Sequence, residues 1–151
     1  MGRRRKGWTR PDRYVVPSLT RRVSFTATHR YWRSDWSAVR NDKTFGSAAV
    51  AHSHDYSCDV TVSGPIDAET GMIIDLGLLD RILDREVRAR FHGADINVDL
   101  PAFADRKLIP TCENLARFVF EHVDAALAGA ATLTRVVVRE DETISAEYPG
   151  G

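Results

Sequence analysis

The sequence predicts an α+β fold, a four-stranded antiparallel sheet with two helices on one of its faces. Four segments alternate apolar and polar residues with a period of two, which is typical of strands that are buried on one side. Two longer segments repeat apolar residues at every third or fourth position, which indicates amphipathic helices. The order strand, strand, helix, helix, strand, strand favours two layers, and 151 residues suffice for one domain with its own core.

The first two strands are predicted over residues 22–31 and 52–64, and Gly64-Pro65 ends the second. Because strand side chains alternate between faces, the buried face of the first strand carries Val23, Phe25, Ala27 and His29. That of the second carries His52, His54, Tyr56, Cys58, Val60 and Val62, with the polar residues Asp55, Ser57, Asp59 and Thr61 on its other face.

Residues 32–51 are predicted to be a long loop that holds three large aromatic residues, Trp32, Trp36 and Phe45. A loop of this length between two strands is typical of a lid or a pocket wall. The aromatic residues are equally consistent with a cover for the edge of the core or with a subunit contact. Both interpretations stay open at this point.

Asp75 is placed to cap a helix over residues 76–91, and a second helix is predicted over 112–128. The two final strands are predicted over 133–139 and 143–148. The apolar stripes of the helices are Leu78, Leu79, Ile82, Leu83 and Val87 in the first and Leu115, Phe118, Val119, Val123 and Ala126 in the second. A four-stranded open sheet leaves two unpaired edges, so we expect a homo-oligomer, a trimer or a hexamer, that pairs them.

Charge is unevenly distributed, although the formal net charge is zero. Residues 1–22 hold eight of the 21 Lys and Arg residues and one of the 21 acidic residues, so the remainder is acidic. We interpret residues 1–21 as a basic N-terminal tail and 22–151 as the folded domain. A solvated tail is favoured over a nucleic-acid-binding segment, because no recognisable nucleic-acid module accompanies the basic run.

No apolar segment follows the basic residues and no run approaches membrane-spanning length, so we expect neither a secretory signal nor a membrane span. The two cysteines, Cys58 and Cys112, indicate no disulfide framework, and the reducing cytoplasm is the expected compartment.

His52 and His54 are the strongest functional signal, because residues two apart on a strand point to the same side, about 6–7 Å apart. His29 ends the other strand on the corresponding face and is the candidate third ligand. Three histidines without a thiolate are typical of a catalytic zinc that keeps one position open. The alternative interpretation is that these are hydrogen-bonded core histidines.

Over residues 22–149 the sequence resembles the 6-pyruvoyl-tetrahydropterin synthase and 6-carboxytetrahydropterin synthase family. The motifs that carry the resemblance are Phe25-Thr-Ala-Thr-His29-Arg, His52-Ser-His54-Asp-Tyr56, Gly64-Pro-Ile66-Asp67-Ala-Glu-Thr70-Gly71-Met72 with Asp75, Pro110-Thr-Cys-Glu113-Asn114-Leu-Ala, and Glu140 ahead of Ala146-Glu-Tyr148. The resemblance implies the tunnelling fold, an oligomeric barrel with active sites between subunits, and zinc held by the three histidines. It also implies that Glu113 and Glu140 anchor the substrate, since a carboxylate accepts two N–H bonds from an aminopyrimidine edge.

The acid-base residues depart from the family's pattern. Ala48 falls on or beside the position of the family's cysteine base, and alanine has no proton to move. The family's Asp-His pair is matched here by His92 and Gly93. Cys58 is about 13 Å along the strand from His54, too far to act as the base. His92 is therefore the best remaining acid-base candidate, because imidazole titrates near neutral pH.

We therefore expect a zinc-dependent lyase or cyclase whose chemistry has drifted from the standard pterin reaction. Its substrate would be a heterocycle or an amine, with a polyhydroxylated or aldehyde-bearing partner. One alternative is a Pictet-Spengler type cyclase that condenses an arylethylamine with a sugar aldehyde, with Trp32 and Trp36 as a wall. A second alternative is a catalytically silent protein that binds a pterin or a nucleobase.

Overall fold

Four strands form one antiparallel sheet in the order β1-β2-β3-β4. The computed structural model describes residues 16–104 and 108–149. The strands are β1 (Ser18–His29), β2 (His52–Ser63), β3 (Thr132–Arg139) and β4 (Ser145–Tyr148). The four predicted strands are thus confirmed, with shifted ends.

β1 begins four residues earlier than predicted and ends two residues earlier. Ser18 pairs with Ser63, so residues 18–21, which the sequence suggested as the end of the basic tail, extend the sheet instead. The hydroxyl groups of Thr20 and Thr61, 2.7 Å apart, add a side-chain contact across this part of the pair. Most of the predicted tail, residues 1–15, lies outside the described residues.

Register between β1 and β2 determines where the histidines lie. His29 is directly opposite His52, and Ala27 is opposite His54. All three histidines therefore project from the same face as Phe25 and Tyr56, as the alternation predicted. Toward the other end of β2 this face is fully buried at Cys58, Val60 and Val62.

The connection between β1 and β2 is not the continuous loop that the sequence suggested. It contains α1 (Ala38–Phe45) and a 3₁₀ turn (Gly46–Ala49). The Ser37 side chain caps α1 by accepting from the Arg40 N–H, at 3.2 Å. Asn41 is completely buried and bonds the Arg33 backbone through both ends of its amide. Because α1 is short and is fixed by polar contacts, its sequence has little of the apolar periodicity from which a helix is predicted.

The helical layer follows the prediction closely. Asp75 caps α2 (Leu76–Leu83), which continues through a π-helical turn (Asp84–Arg88) into α3 (Ala89–Phe91). A one-turn helix, α4 (Ile96–Asp99), interrupts the predicted loop. The long helix α5 (Cys112–Leu127) is capped by Thr111, whose side chain accepts from the Asn114 N–H.

One apolar core lies between the sheet and the helices. Its largest fully buried members are Tyr56, Phe91, Leu79, Ile96 and Leu115. Phe25 stacks between Tyr56 and Phe91, with ring centroids 5.0 Å apart on each side. Among the described residues, no helix combines the length and the apolar composition that crossing a membrane requires.

Asp59 ties three strands together on the open face of the sheet. It accepts from Arg22 of β1 at 2.7 Å and from Arg139 of β3 at 2.7 Å. The hydrogen bond from Arg22 and the neighbouring contact from Arg139 hold the pKa of the Asp59 carboxyl below its usual value. Its carboxylate is only 14% exposed, so solvent weakens this pair less than it weakens a fully exposed one.

We expect Asp59→Asn to lower the free energy of unfolding by about 1 kcal/mol at pH 7. The effect is no larger because both arginines are partly exposed and solvent screens their charge. Because the folded-state pKa is lowered, this contribution is present above the unfolded pKa of about 3.9 and is lost as pH falls through the folded value. Urea unfolding of both proteins at pH 7 and pH 3 measures it. Asp80→Asn, which removes the half-exposed pair with Arg21, is the control and should cost less. A difference between the two proteins that did not become smaller from pH 7 to pH 3 would contradict the electrostatic explanation.

Candidate metal centre

The three predicted histidines converge where β1 ends and β2 begins. The Nε2 atoms of His29 and His52 are 3.1 Å apart. The ring centroids of His29 and His54 are 5.1 Å apart, and those of His52 and His54 are 4.7 Å apart. The register of the two strands thus gathers three imidazoles that the sequence places far apart.

Backbone carbonyl groups orient two of the rings. Nδ1 of His29 lies 2.9 Å from the carbonyl oxygen of Pro110, and Nδ1 of His52 lies 2.6 Å from that of Val50. A carbonyl oxygen can only accept, so Nδ1 carries the proton in both rings and Nε2 keeps its lone pair. This tautomer, fixed by an outer hydrogen bond, is the usual one in a metal-binding histidine.

Glu140, the residue directly after β3, completes the cluster. Its Oε1 atom is 2.7 Å from Nε2 of His54, 3.2 Å from that of His29 and 3.9 Å from that of His52. Within the described ranges, these four residues are the group whose side chains could hold a metal ion, with ligand atoms all within 4.8 Å of one another. The sequence assigned Glu140 to substrate binding and did not predict this contact.

The contact between Glu140 and His54 has an unusual geometry. Nε2 of His54 is buried and makes no well-aligned hydrogen bond, although Oε1 lies only 2.7 Å away. Two ligands that point at one centre approach each other in this way, close together but without the alignment of a hydrogen bond. The donor set of three imidazoles and a carboxylate also suits zinc.

Tyr31 and Cys112 surround the far side of the Glu140 carboxylate. Cys112, the first residue of α5, is buried and places Sγ 3.5 Å from Oε2 of Glu140. Burial raises the pKa of the Cys112 thiol to about 12, so it stays protonated and donates. Burial, followed by the charge of Glu140, also raises the pKa of the Tyr31 hydroxyl, which hydrogen-bonds to this carboxylate.

The electrostatic environment keeps the innermost histidine neutral. His29 is completely buried, and burial is the main cause that lowers the pKa of its imidazole. The hydroxyl of Tyr56 lies 3.0 Å from Nδ1 of His29, and burial raises the pKa of this phenol. A neutral imidazole with a free Nε2 is the form that binds a metal.

His92 and Glu113 lie outside the four-residue group. His92 is exposed, and its Nδ1 accepts from the Thr26 N–H at 3.2 Å. Glu113 is exposed in the first turn of α5, and its charge contributes to the raised pKa of Tyr31. The Ala48 carbonyl accepts from the Tyr31 N–H at 2.7 Å. Because the side chain of Ala48 is a methyl group, no side-chain proton donor is present at this position.

A cavity of about 870 Å³ is lined by Arg30 and Ala51, the residues that follow His29 and precede His52 in the sequence, but by none of the four residues of the cluster. Trp32 forms part of its wall, and the Arg30 guanidinium stacks on this ring at 4.4 Å. Asn97 holds the Arg30 backbone by two hydrogen bonds, of 2.8 and 3.0 Å. Trp36 instead stacks on Phe45, away from this wall. Of the two tryptophans, Trp32 thus matches the predicted pocket wall.

The sheet, the helical layer and the histidine cluster define a tunnelling-fold protein with a candidate metal site. The family model described as 6-pyruvoyl tetrahydropterin synthase matches residues 18–151. This chain therefore belongs to the 6-pyruvoyl tetrahydropterin synthase family, a family of biosynthetic lyases.

Individual relatives agree with this assignment. The 6-pyruvoyl tetrahydrobiopterin synthase of Homo sapiens is 31% identical over 134 residues, which cover 87% of this chain and 90% of the human protein. That of Drosophila melanogaster is 30% identical over 137 residues, covering 89% and 80%.

Solved structures have the same fold. The Caenorhabditis elegans 6-pyruvoyl tetrahydropterin synthase superposes with a TM-score of 0.82 at 25% identity, over 90% of this chain and 96% of that one. The Plasmodium vivax enzyme has a TM-score of 0.60 at 14% identity, over 87% and 96%, which supports the fold alone.

Proposed function

We propose that this protein is a zinc-dependent lyase or cyclase whose reaction differs from standard pterin synthesis. The observation that carries the proposal is the convergence of His29, His52 and His54 in a family of biosynthetic lyases. When bound, zinc would polarise a carbonyl or hydroxyl oxygen of the substrate and so weaken the adjacent bond that is broken or made. The residues of the chain would bind and orient the substrate and transfer its protons.

The carboxylates of Glu113 and Glu140 would anchor the substrate. Each accepts two N–H bonds and therefore suits either an aminopyrimidine edge or a protonated amine. Glu113 is exposed at the start of α5, next to Cys112, while Glu140 lies against the histidines. Glu140 would therefore bind the end of the substrate near the metal, and Glu113 a part that is nearer to solvent.

The absence of the family's proton-transfer residues suggests which reaction has replaced the usual one. Ala48 offers a methyl group where the family has a thiol, and Gly93 offers no side chain. His92 remains as the acid-base residue and would reach a site formed between subunits from its exposed position. A reaction that needs few proton transfers fits these changes.

Condensation of an amine with an aldehyde is such a reaction, and the cavity supports it as a second candidate. The amine and the aldehyde lose water, and a carbon–carbon bond then closes the ring, which needs one proton removed from the aromatic carbon. The Trp32 wall of the cavity would hold an aromatic amine, and the oxygen-rich partner would have to extend from the cavity toward the histidines. Arg30 would attract an anionic group on either reactant.

Two further parts of the proposal concern assembly and location. Members of the family are oligomeric, and the two sheet edges of this chain favour a homo-oligomeric barrel, a trimer or a hexamer. We place the protein in the cytoplasm, where both cysteines would remain reduced. Sedimentation of the purified protein measures the assembly.

The activity is tested by incubating zinc-loaded protein with dihydroneopterin triphosphate and, separately, with arylethylamine and sugar-aldehyde pairs. We expect slow or absent turnover of the pterin and product from at least one amine and aldehyde pair. Turnover of the pterin at the rates ordinary for the family would refute the altered chemistry. Pterin binding without any product would favour the catalytically silent protein.

A further inference from the structure

We propose that Glu140 is a fourth protein ligand of the metal, held in place by Cys112 and Tyr31, so that the resting centre is closed. The sequence predicted an open centre of three histidines, with Glu140 reserved for substrate. The inference rests on the metal-dependent function proposed above, and it concerns the state of the centre before substrate arrives.

The ligand atoms of the four residues are close enough to share one metal ion, since all lie within 4.8 Å of one another. With bonds of about 2.0–2.1 Å, the ligand atoms of a tetrahedral zinc site lie about 3.3 Å apart. The distances from Oε1 of Glu140 to the three Nε2 atoms, 2.7, 3.2 and 3.9 Å, lie on both sides of this value. The 3.1 Å between His29 and His52 is close to it as well. With a metal bound, the Glu140 carboxylate would take the position that water holds in an open site.

Charge gives a second, independent argument. The Glu140 side chain is only 9% exposed, and a buried carboxylate is costly unless a cation compensates it. Its ion-pair partners within the described residues are the three histidines, and no lysine or arginine is among them. A divalent cation bound by the same histidines would supply the missing positive charge.

The other carboxylate oxygen of Glu140, Oε2, accepts a hydrogen bond of its own. Cys112 donates to Oε2 at 3.5 Å, and the Tyr31 hydroxyl hydrogen-bonds to the same carboxylate. These contacts turn Oε1 toward the histidines and make Cys112 and Tyr31 positioning residues. When substrate arrives, Glu140 has to turn from the metal to the N–H groups of the substrate.

Metal affinity tests the proposal without any substrate. We expect Glu140→Gln to weaken Zn²⁺ binding by about 10- to 100-fold in competition with a chelator, and Cys112→Ala to weaken it by about tenfold. Glu113→Gln is the matched control, since it removes an exposed carboxylate next to Cys112 that lies outside the four-residue group, and its Zn²⁺ affinity should be unchanged. Circular dichroism of the metal-free variants checks that each one folds.

Cobalt gives a second readout. The visible spectrum of Co²⁺-loaded wild-type protein should have the strong bands of four-coordinate cobalt, and both Glu140→Gln and Cys112→Ala should change it. Unchanged affinity and an unchanged spectrum in these two folded variants would overturn the proposal. Because no turnover is measured, this result is independent of whether the proposed reaction is correct.

Discussion

Replacing His52 by alanine is expected to weaken zinc binding by about two orders of magnitude and to abolish turnover. Four-ligand zinc sites are worth roughly 10–16 kcal/mol, or about 3 kcal/mol for each ligand, and each 1.4 kcal/mol is a factor of ten. His52 is the best choice for this test because its side chain is 33% exposed, so its removal leaves the core intact. Metal content after dialysis and chelator competition measure the loss.

Two other histidines provide matched controls. His122 stacks on Phe118 with ring centroids 3.9 Å apart, and His122→Ala should leave the zinc content unchanged. His92→Ala should also keep its zinc but lose about 10²–10⁴-fold in turnover, the usual contribution of a general acid or base. Full activity of His92→Ala would remove His92 from the mechanism, and loss of zinc from His122→Ala would mean that the measurement reports unfolding.

Phe91→Ala should lower the free energy of unfolding by about 3–5 kcal/mol, the largest stability effect that we expect from one substitution. Phe91 is completely buried, stacks on Phe25 at 5.0 Å and meets the edge of Phe118 at 5.7 Å. Its removal leaves a cavity between the end of the helical layer and the sheet. Chemical denaturation of the metal-free protein measures the effect without a contribution from metal binding.

The partly buried Phe120 is the control for this substitution. Its main ring contact is with Tyr148 at 5.2 Å, near the edge of the sheet, so Phe120→Ala should cost only about 1 kcal/mol. Equal losses in the two variants would contradict the placement of Phe91 at the centre of the core. Because His92 directly follows Phe91, the Phe91→Ala substitution should also weaken the hydrogen bond between the Thr26 N–H and His92.

Local patterns explain what could be predicted from the sequence. The alternation of residues along β2 is a property of twelve consecutive residues, and it correctly placed His52, His54 and Tyr56 on one face. Caps such as Asp75 are equally local signals. The third histidine of the cluster, His29, could be predicted because the same alternation along β1 ends on it and because the family resemblance supports it.

Contacts between distant residues explain what was missed. Glu140 meets His54 only because β3 pairs with β2 in a particular register, and residue spacing along the chain does not specify that register. Tyr31 was not considered because its hydroxyl becomes important only after Glu140 is buried beside it. α1 was missed since a short helix fixed by Ser37 and Asn41 has almost no apolar stripe.

The segment after α3 restricts how the sheet can grow. The Gly93 N–H donates to the Thr26 carbonyl at 2.7 Å, and the Thr28 N–H donates to the Ala94 carbonyl at 2.9 Å. Near the histidines, the backbone groups on the free edge of β1 therefore already have hydrogen-bond partners. A strand from a neighbouring copy that pairs with β1 would therefore align with the preceding half, residues 18–24. Any contribution of that copy to the site beside the imidazoles would come from its side chains or loops and not from strand pairing.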